Sequence, residues 1–533
     1  MTAINRRNFL RLSGAGLAAS VVAACGAATT GFSTSGSATG APGISAGAVA
    51  AATPRPTLTG AAFSPDVEIG LTAAPDSVNI FSGQATKVWK LSGEVLQGDP
   101  GTLQPLTDTY LGPIMRLNKG QRVRIDFTNQ LPQESIIHWH GMHVPAEMDG
   151  HPRYVVGNGG SYTYEFEVLN RAGTYWYHPH PHGRTGPQVY AGMAGFLLVS
   201  DEEERALELP DGEYDIPLVI QDRTFNSSNQ LVYGGNGMMD QMMGFLGNQV
   251  LVNGQPDFTL SVSTRAYRLR LLNGSNSRIY KLAWDDGTPL TVIGNDGGLL
   301  EKPVQYPYVT MGPAERVELW VDFSDRPVGS KLVMQNWYVA SSQGMMGGGR
   351  RSSSVQGGAF PIFTVSVDKQ VNEPATLPSR LSTIKRIPES EAVTTRRVNL
   401  RMQPPGGWTL NGRTFEMTDV APDEQVKLGT TEIWEFVNGG GMMGGMSLPH
   451  PIHMHGQQFQ VLDRSVNSGG RRAWEAVKDG YVDGGWKDTV LVMPGERVRV
   501  LRRFADFTGL FLYHCHNLEH EDMGMMRNFE IVA

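Results

Sequence analysis

Cysteine is nearly absent: the 533 residues contain two, Cys25 and Cys515. A disulfide-stapled scaffold is therefore excluded. Segments with a long 3.6-residue apolar period are scarce, which argues against a helical bundle. No basic stretch is long enough to track a phosphate backbone, and 45 Lys+Arg stand against 52 Asp+Glu, a net charge of −7. Nucleic acid is therefore not an expected partner. Histidine, present 13 times, is missing between His182 and His450. What is abundant is glycine, at 64, and proline, at 32, the signature of many turns and short strands. With 40% hydrophobic and 18% charged residues the chain suits a folded, soluble body, long enough for about three domains of roughly 150 residues.

The N-terminus reads as an address. Arg6 and Arg7 are paired, Phe9 and Leu10 follow, and a weakly apolar run leads to Val22-Ala23-Ala24-Cys25. This resembles a twin-arginine export signal ending in a lipobox, with Cys25 as the lipidated residue. The run is shorter than the roughly 20 residues of a membrane span, so the only membrane contact expected is a lipid on Cys25. Residues 26–55 are nearly all Ala, Gly, Ser, Thr and Pro, a flexible tether. The expected location is the periplasmic or extracellular face of the membrane. Cys515 then remains as the only thiol of the body, and metal ligation would protect it from oxidation.

From about residue 57 the pattern is short alternating runs between turns. Residues 122–129, 161–168, 195–200, 265–273, 315–323, 431–438 and 496–504 all fit strands. The stretch ESIIHWH also fits a few residues of helix. The fold class is all-β, built of Greek-key barrels or sandwiches. The phrases RVRIDFTNQ, YRLRLLNGS and TEIWEFVNGG recur as if one plan were used three times. Boundaries fall where the chain turns charged or linker-like, giving a signal over 1–25, the tether, and domains over 56–205, 206–380 and 381–533.

The histidines cluster in the first and third of these domains, so a metal site shared by those two is expected. HWH gives His138 and His140; YHPHPHG gives His178, His180 and His182; HPIHMHG gives His450, His453 and His455; HCH gives His514 and His516. On a strand, residues two apart share a face. The pairs His138/His140, His178/His180, His453/His455 and His514/His516 thus aim eight imidazoles inward. Cys515 must face the other way, and His450, at an odd spacing from His453, goes with it. His520 and Met525 can join them through the following loop. Two imidazoles, a thiolate and a weak thioether are the ligand set of a blue-copper electron-transfer centre. Zinc would have no use for that set beside eight further imidazoles.

The four motifs, HWHG, WYHPHPHG, HPIHMHG and HCHNLEHEDMGMM, resemble those of the multicopper oxidases, in order, over residues 60–533. The three-domain bacterial cuprous oxidases and laccase-like oxidases are the most similar, through HVPAEMDG, LRLLNGSNSR, NDGGLL and GWKDTV. The resemblance implies three cupredoxin-like domains and four copper ions. It implies a type 1 copper on His450, Cys515, His520 and Met525 and a type 2 copper on His138 and His453. The type 3 pair takes His140, His178, His180, His455, His514 and His516. Asp149 and Glu521 match family positions of proton donors for the reduction of O2 to water. His143, His151 and His182 are left over as surface or supporting residues.

The reductant is less defined. His520 or His450, at the rim of the type 1 site, is the expected electron port. Met525 as axial ligand implies a low to moderate potential. The methionines Met238, Met239, Met242 and Met243, Met345 and Met346, and Met442, Met443 and Met446 cluster beside glycines, where they make poor core, and thioethers favour Cu(I). Cu(I) or a small phenol or aromatic amine is thus the expected reductant, O2 the acceptor, and a monomer the expected state. The rival readings are an exported copper-storage protein and a copper nitrite reductase. Neither needs all four H-x-H pairs.

Overall fold

The computed structural model describes residues 62–533, except 236, 338–355, 374, 404–406 and 440–446. Cys25 and the methionines at 345, 346, 442, 443 and 446 lie outside the described residues. The described part belongs to one compact unit, in which six sheets follow one another in pairs. Sheets of four and five strands come first, then six and five, then five and five. No helix among the described residues is long and apolar enough to cross a membrane.

The strands expected from alternation form within a residue or two of their expected limits: Arg122–Asn129, Ser161–Glu167, Gly195–Ser200, Ala266–Asn273, Arg316–Asp322, Thr431–Val437 and Glu496–Arg503. The stretch ESIIHWH is not helical; it ends in the strand Ile137–His140. That strand pairs with Gly173–Pro179 instead.

The recurring phrases occupy equivalent places. Arg122–Asn129 pairs parallel with Val67–Val78, Ala266–Asn273 with Asp215–Arg223, and Thr431–Val437 with Ala392–Gln403. Each also pairs antiparallel with a later strand. Each sheet pair encloses its own core. Ile125, Phe127 and Trp139 lie in the first, Leu271, Trp284 and Leu319 in the second, Trp434, Phe511 and Phe529 in the third. All nine are buried on folding, each contributing about 1.5–3 kcal/mol of transfer free energy or somewhat more for the aromatics.

Candidate metal centre

Two antiparallel strand pairs build the site. In the first, Ile137–His140 runs against Gly173–Pro179 with His138 opposite His178. In the second, His450–Met454 runs against Gly509–Cys515 with His453 opposite His514 and Ile452 opposite Cys515. Directly opposed residues share a face. Each pairing therefore joins imidazoles from two separate motifs on one side. Trp139 lies within the first core and Cys515 within the third.

The eight paired histidines meet in three groups of close ligand atoms: His138, His140 and His453; His140, His178 and His516; His180, His455 and His514. All eight are at most 1% exposed. Rings from the first and third segments stack: His138 on His455 at 3.8 Å and His140 on His453 at 3.7 Å. His450, Cys515 and His520 form a separate group on the other side of the strand, as alternation requires. His450 Nδ1 lies 3.4 Å and His520 Nδ1 3.7 Å from Cys515 Sγ. Met525 is fully buried beside them, its carbonyl accepting the Cys515 N–H at 3.0 Å.

Hydrogen bonds at the far nitrogens decide which lone pairs face inward. His138 Nδ1 donates to the Asp149 carbonyl at 2.6 Å and His453 Nδ1 to the Asp488 carbonyl at 2.8 Å. Their Nε2 atoms are left buried with no hydrogen-bond partner. His455 Nδ1 donates to Asp149 Oδ2 at 2.8 Å, so its Nε2 faces His514 Nε2 at 3.2 Å. His140 reverses the pattern: its Nε2 donates to Asp488 Oδ1 at 3.0 Å and its Nδ1 is the orphan. Burial, with neighbouring imidazoles, holds His140, His178, His180, His453, His455 and His516 well below the ordinary value of 6.5, so these rings are neutral. Neutral, buried, mutually facing lone pairs cannot satisfy one another; cations of nitrogen-binding type can. Burial likewise pushes the Cys515 thiol up, so a thiolate there needs a metal beside it. The donor set thus fits copper.

Both acidic candidates reach the histidine cluster. Asp149 is held by the turn Asp149-Gly150: Gly150 has φ +79°, and a Cβ there would lie 2.1 Å from the Ile137 carbonyl oxygen. Burial raises the Asp149 carboxyl in spite of His138 and Arg502. Glu521 Oε2 lies 3.1 Å from His514 Nδ1 and Oε1 lies 3.7 Å from His180 Nε2. Burial works against the Glu521 charge, but His514, whose Nδ1 donates to it, favours that charge and holds its carboxyl below the ordinary 4.5. Both carboxyls thus stand in contact with imidazoles of the cluster, Asp149 with His455 and Glu521 with His514.

The leftover histidines bind elsewhere. His143 contacts Asp506 at 2.8 Å, His151 contacts Asn528 at 2.9 Å, and His182 packs on Phe415 at 4.8 Å. The two imidazoles expected at the rim of the type 1 site are not open to solvent. His450 and His520 are both fully buried, and His520 Nε2 donates to the Met242 carbonyl at 3.1 Å. The helix Met238–Met243 covers them, because Trp408 Nε1 ties the same carbonyl at 3.0 Å. Met238 and Met239 point to solvent, 72% and 59% exposed, while Met243 packs against the third core.

Two supporting residues carry no histidine signal. Asp488 Oδ1 accepts from His140 while its carbonyl accepts from His453. Arg316, from the middle sheet pair, donates to both Asp488 oxygens at 2.7 and 2.6 Å. The clue in the sequence was Lys-Asp inside the otherwise apolar run GWKDTVLVM. A buried ion pair needs partners, and Lys487 meets Asp296 and Glu315 at 2.9 and 3.0 Å.

The family model described as multicopper oxidase matches residues 92–204, and a second of the same description matches 388–533. A multicopper oxidase of Staphylococcus aureus is 31% identical over 456 residues, 85% of this chain and 89% of that one. A laccase of Bacillus stratosphericus is 31% identical, covering 81% and 91%. The crystal structure of the McoA multicopper oxidase from the hyperthermophile Aquifex aeolicus superposes with a TM-score of 0.74 at 35% identity, covering 88% and 97%. All three are proteins to which this chain is similar over more than four-fifths of its length.

Proposed function

The chain belongs to the multicopper oxidase family, a copper-dependent oxidoreductase of laccase-like type using O2, and from that premise we propose its reaction. It oxidises Cu(I), small phenols or aromatic amines one electron at a time and reduces O2 to water with four. One copper takes His450, Cys515, His520 and Met525. One takes His138 and His453. Two more take His140, His178 and His516, and His180, His455 and His514. Bound there, copper supplies a one-electron carrier at the sulfur site and an O2-reducing centre among the imidazoles.

The observation that carries this reading is the back-to-back placement of Cys515 and, on either side of it in the chain, His514 and His516 of the eight-imidazole cluster. His514 and His516 are its chain neighbours, so two peptide links join the sulfur to the cluster. Asp149 holds a proton beside His455, and Glu521 relays one beside His514. Storage, the other reading, has no need of a covalent bridge between two sites or of buried carboxyls at one of them. The exposed Met238 and Met239 favour Cu(I) among the reductants, as soft ligands on the cover of His520. The folded body sits outside the cytoplasm on a lipidated Cys25.

Oxygen uptake by the copper-loaded protein, with Cu(I) and a dimethoxyphenol in parallel, tests the reaction. Uptake with at least one reductant, without accumulating peroxide, is expected. Full copper loading with no uptake for either would favour storage.

A further inference from the structure

We propose that a small neutral phenol docks in a cleft beside the Met-rich cover and that its electron enters through Tyr233 and Glu519. This rests on the oxidase reading above. A cleft of about 560 Å³ opens between the strand Thr86–Gln97, the helix Thr185–Ala191 and the segment around Leu231. That is the size of an ordinary small-molecule site. Trp89, Tyr190, Tyr233, Pro187 and Leu231 give it flat, apolar walls. Asp76 and Lys87, of opposite sign, flank it, so no single charge is selected.

The floor of the cleft is wired to His520. The Tyr233 ring packs on Tyr190 at 4.8 Å and on Phe245 at 5.2 Å. Tyr233 Oη donates to Glu519 Oε1 at 2.8 Å. Glu519 precedes His520 in the chain, so one hydrogen bond and covalent bonds span the path. The path is rigid. Glu519 is 3% exposed and its oxygens also accept from the Phe245 N–H at 2.9 Å, Asn276 Nδ2 at 2.8 Å and Ser277 Oγ. Among the described residues His520 itself is covered, its outer nitrogen donating to the Met242 carbonyl.

In each event the phenol O–H bond breaks. The proton leaves to Asp76 or to water at the mouth, and the electron passes by way of His520 to the oxidised copper that His450, Cys515, His520 and Met525 would hold, leaving an aryloxyl radical. Four events supply the four electrons that one O2 takes up with four protons to give two waters.

The test uses the copper-loaded full chain, with 2,6-dimethoxyphenol as reductant and 1,2,3-trimethoxybenzene, which has no O–H to lose, as binding probe. Trp89→Ala removes a wall. It should raise KM for the phenol about tenfold and weaken the calorimetric affinity for the probe in proportion. Tyr233→Phe keeps the ring and cuts the hydrogen bond. It should leave probe affinity within about twofold and lower kcat for the phenol about tenfold, while the phenol-to-Cu(I) rate ratio falls. Leu231→Trp, which fills the cleft, should repeat the Trp89→Ala result if that variant folds poorly. Wild-type kinetics in all three variants, or equal loss of phenol and Cu(I) oxidation, overturns the proposal. If the wild type turns over neither reductant, the oxidase reading has failed; the probe titrations then decide the cleft alone, and equal affinity in wild type and Trp89→Ala rejects it.

Discussion

Asp488 fixes two rings from opposite ends of the chain, His140 by its carboxylate and His453 by its carbonyl. Its charge is balanced by Arg316, and both groups are fully buried. Asp488→Ala therefore leaves a guanidinium stranded and frees the His140 ring, costing about 3–5 kcal/mol. The same protein should load less copper among the imidazoles, read as copper per chain and as a disturbed type 2 paramagnetic resonance signal. Arg316→Lys keeps the charge without the fork and should fall between the two. A normal signal with normal copper content in Asp488→Ala would rule out the positioning role. Cys515→Ser makes a cleaner cut: the absorption near roughly 600 nm and the oxidase activity should vanish together, with most imidazole-held copper retained. Activity without the colour would contradict the proposed electron path.

At the scale of the element, the strand Arg316–Asp322 is instructive. Its pattern, RVELWVD, alternates charged and apolar, the sequence of a strand with one face in water. Val317 and Leu319 do enter the middle core. Arg316 and Glu318, however, are fully buried too. Glu318 accepts from Thr174 Oγ1 of the first sheet pair at 2.7 Å and from Arg268 and Arg270. Burial works against the Glu318 charge, but the two arginines outweigh it and hold its carboxyl below the ordinary 4.5. A depressed carboxyl stabilises the fold fully above 4.5 and loses that contribution as pH falls through its folded value. Glu318→Gln should therefore cost about 3 kcal/mol at pH 7. The gap from wild type, measured by urea unfolding, should narrow as pH drops below 4.5. A gap independent of pH would show that packing rather than charge holds this contact.

Across the whole molecule, the imidazole cluster joins residues about 300 positions apart, His138 to His180 on one side and His453 to His516 on the other. Any ion held there binds the folded state alone, because no such cluster survives in the open chain. At about a thousand times Kd each ion is worth roughly 4 kcal/mol, so three in the cluster are worth about 12, and a chain of 533 residues, with about 2.1 cal/mol/K of unfolding entropy per residue, shifts about 1 °C per kcal/mol. Stripping copper with a chelator under reducing conditions should lower Tm by roughly 10 °C, restored on reloading. An unchanged Tm would mean that the cluster is already satisfied without metal.

The sequence by itself determined which side chains could share a face. The two-residue period of a strand separates Cys515 from His514 and His516 whatever surrounds them, and turn residues set where each strand stops. Tertiary structure alone decided what those faces meet. Alternation cannot tell a face turned to water from one turned to another sheet, so the burial of Arg316, Glu318 and Asp488 is not written in the pattern of their own strands. Nor can it show a lid: a six-residue helix from the middle of the chain, Met238–Met243, lies over His520. Local geometry is written in residues a few positions apart, whereas burial of a charge depends on segments brought together across hundreds of residues.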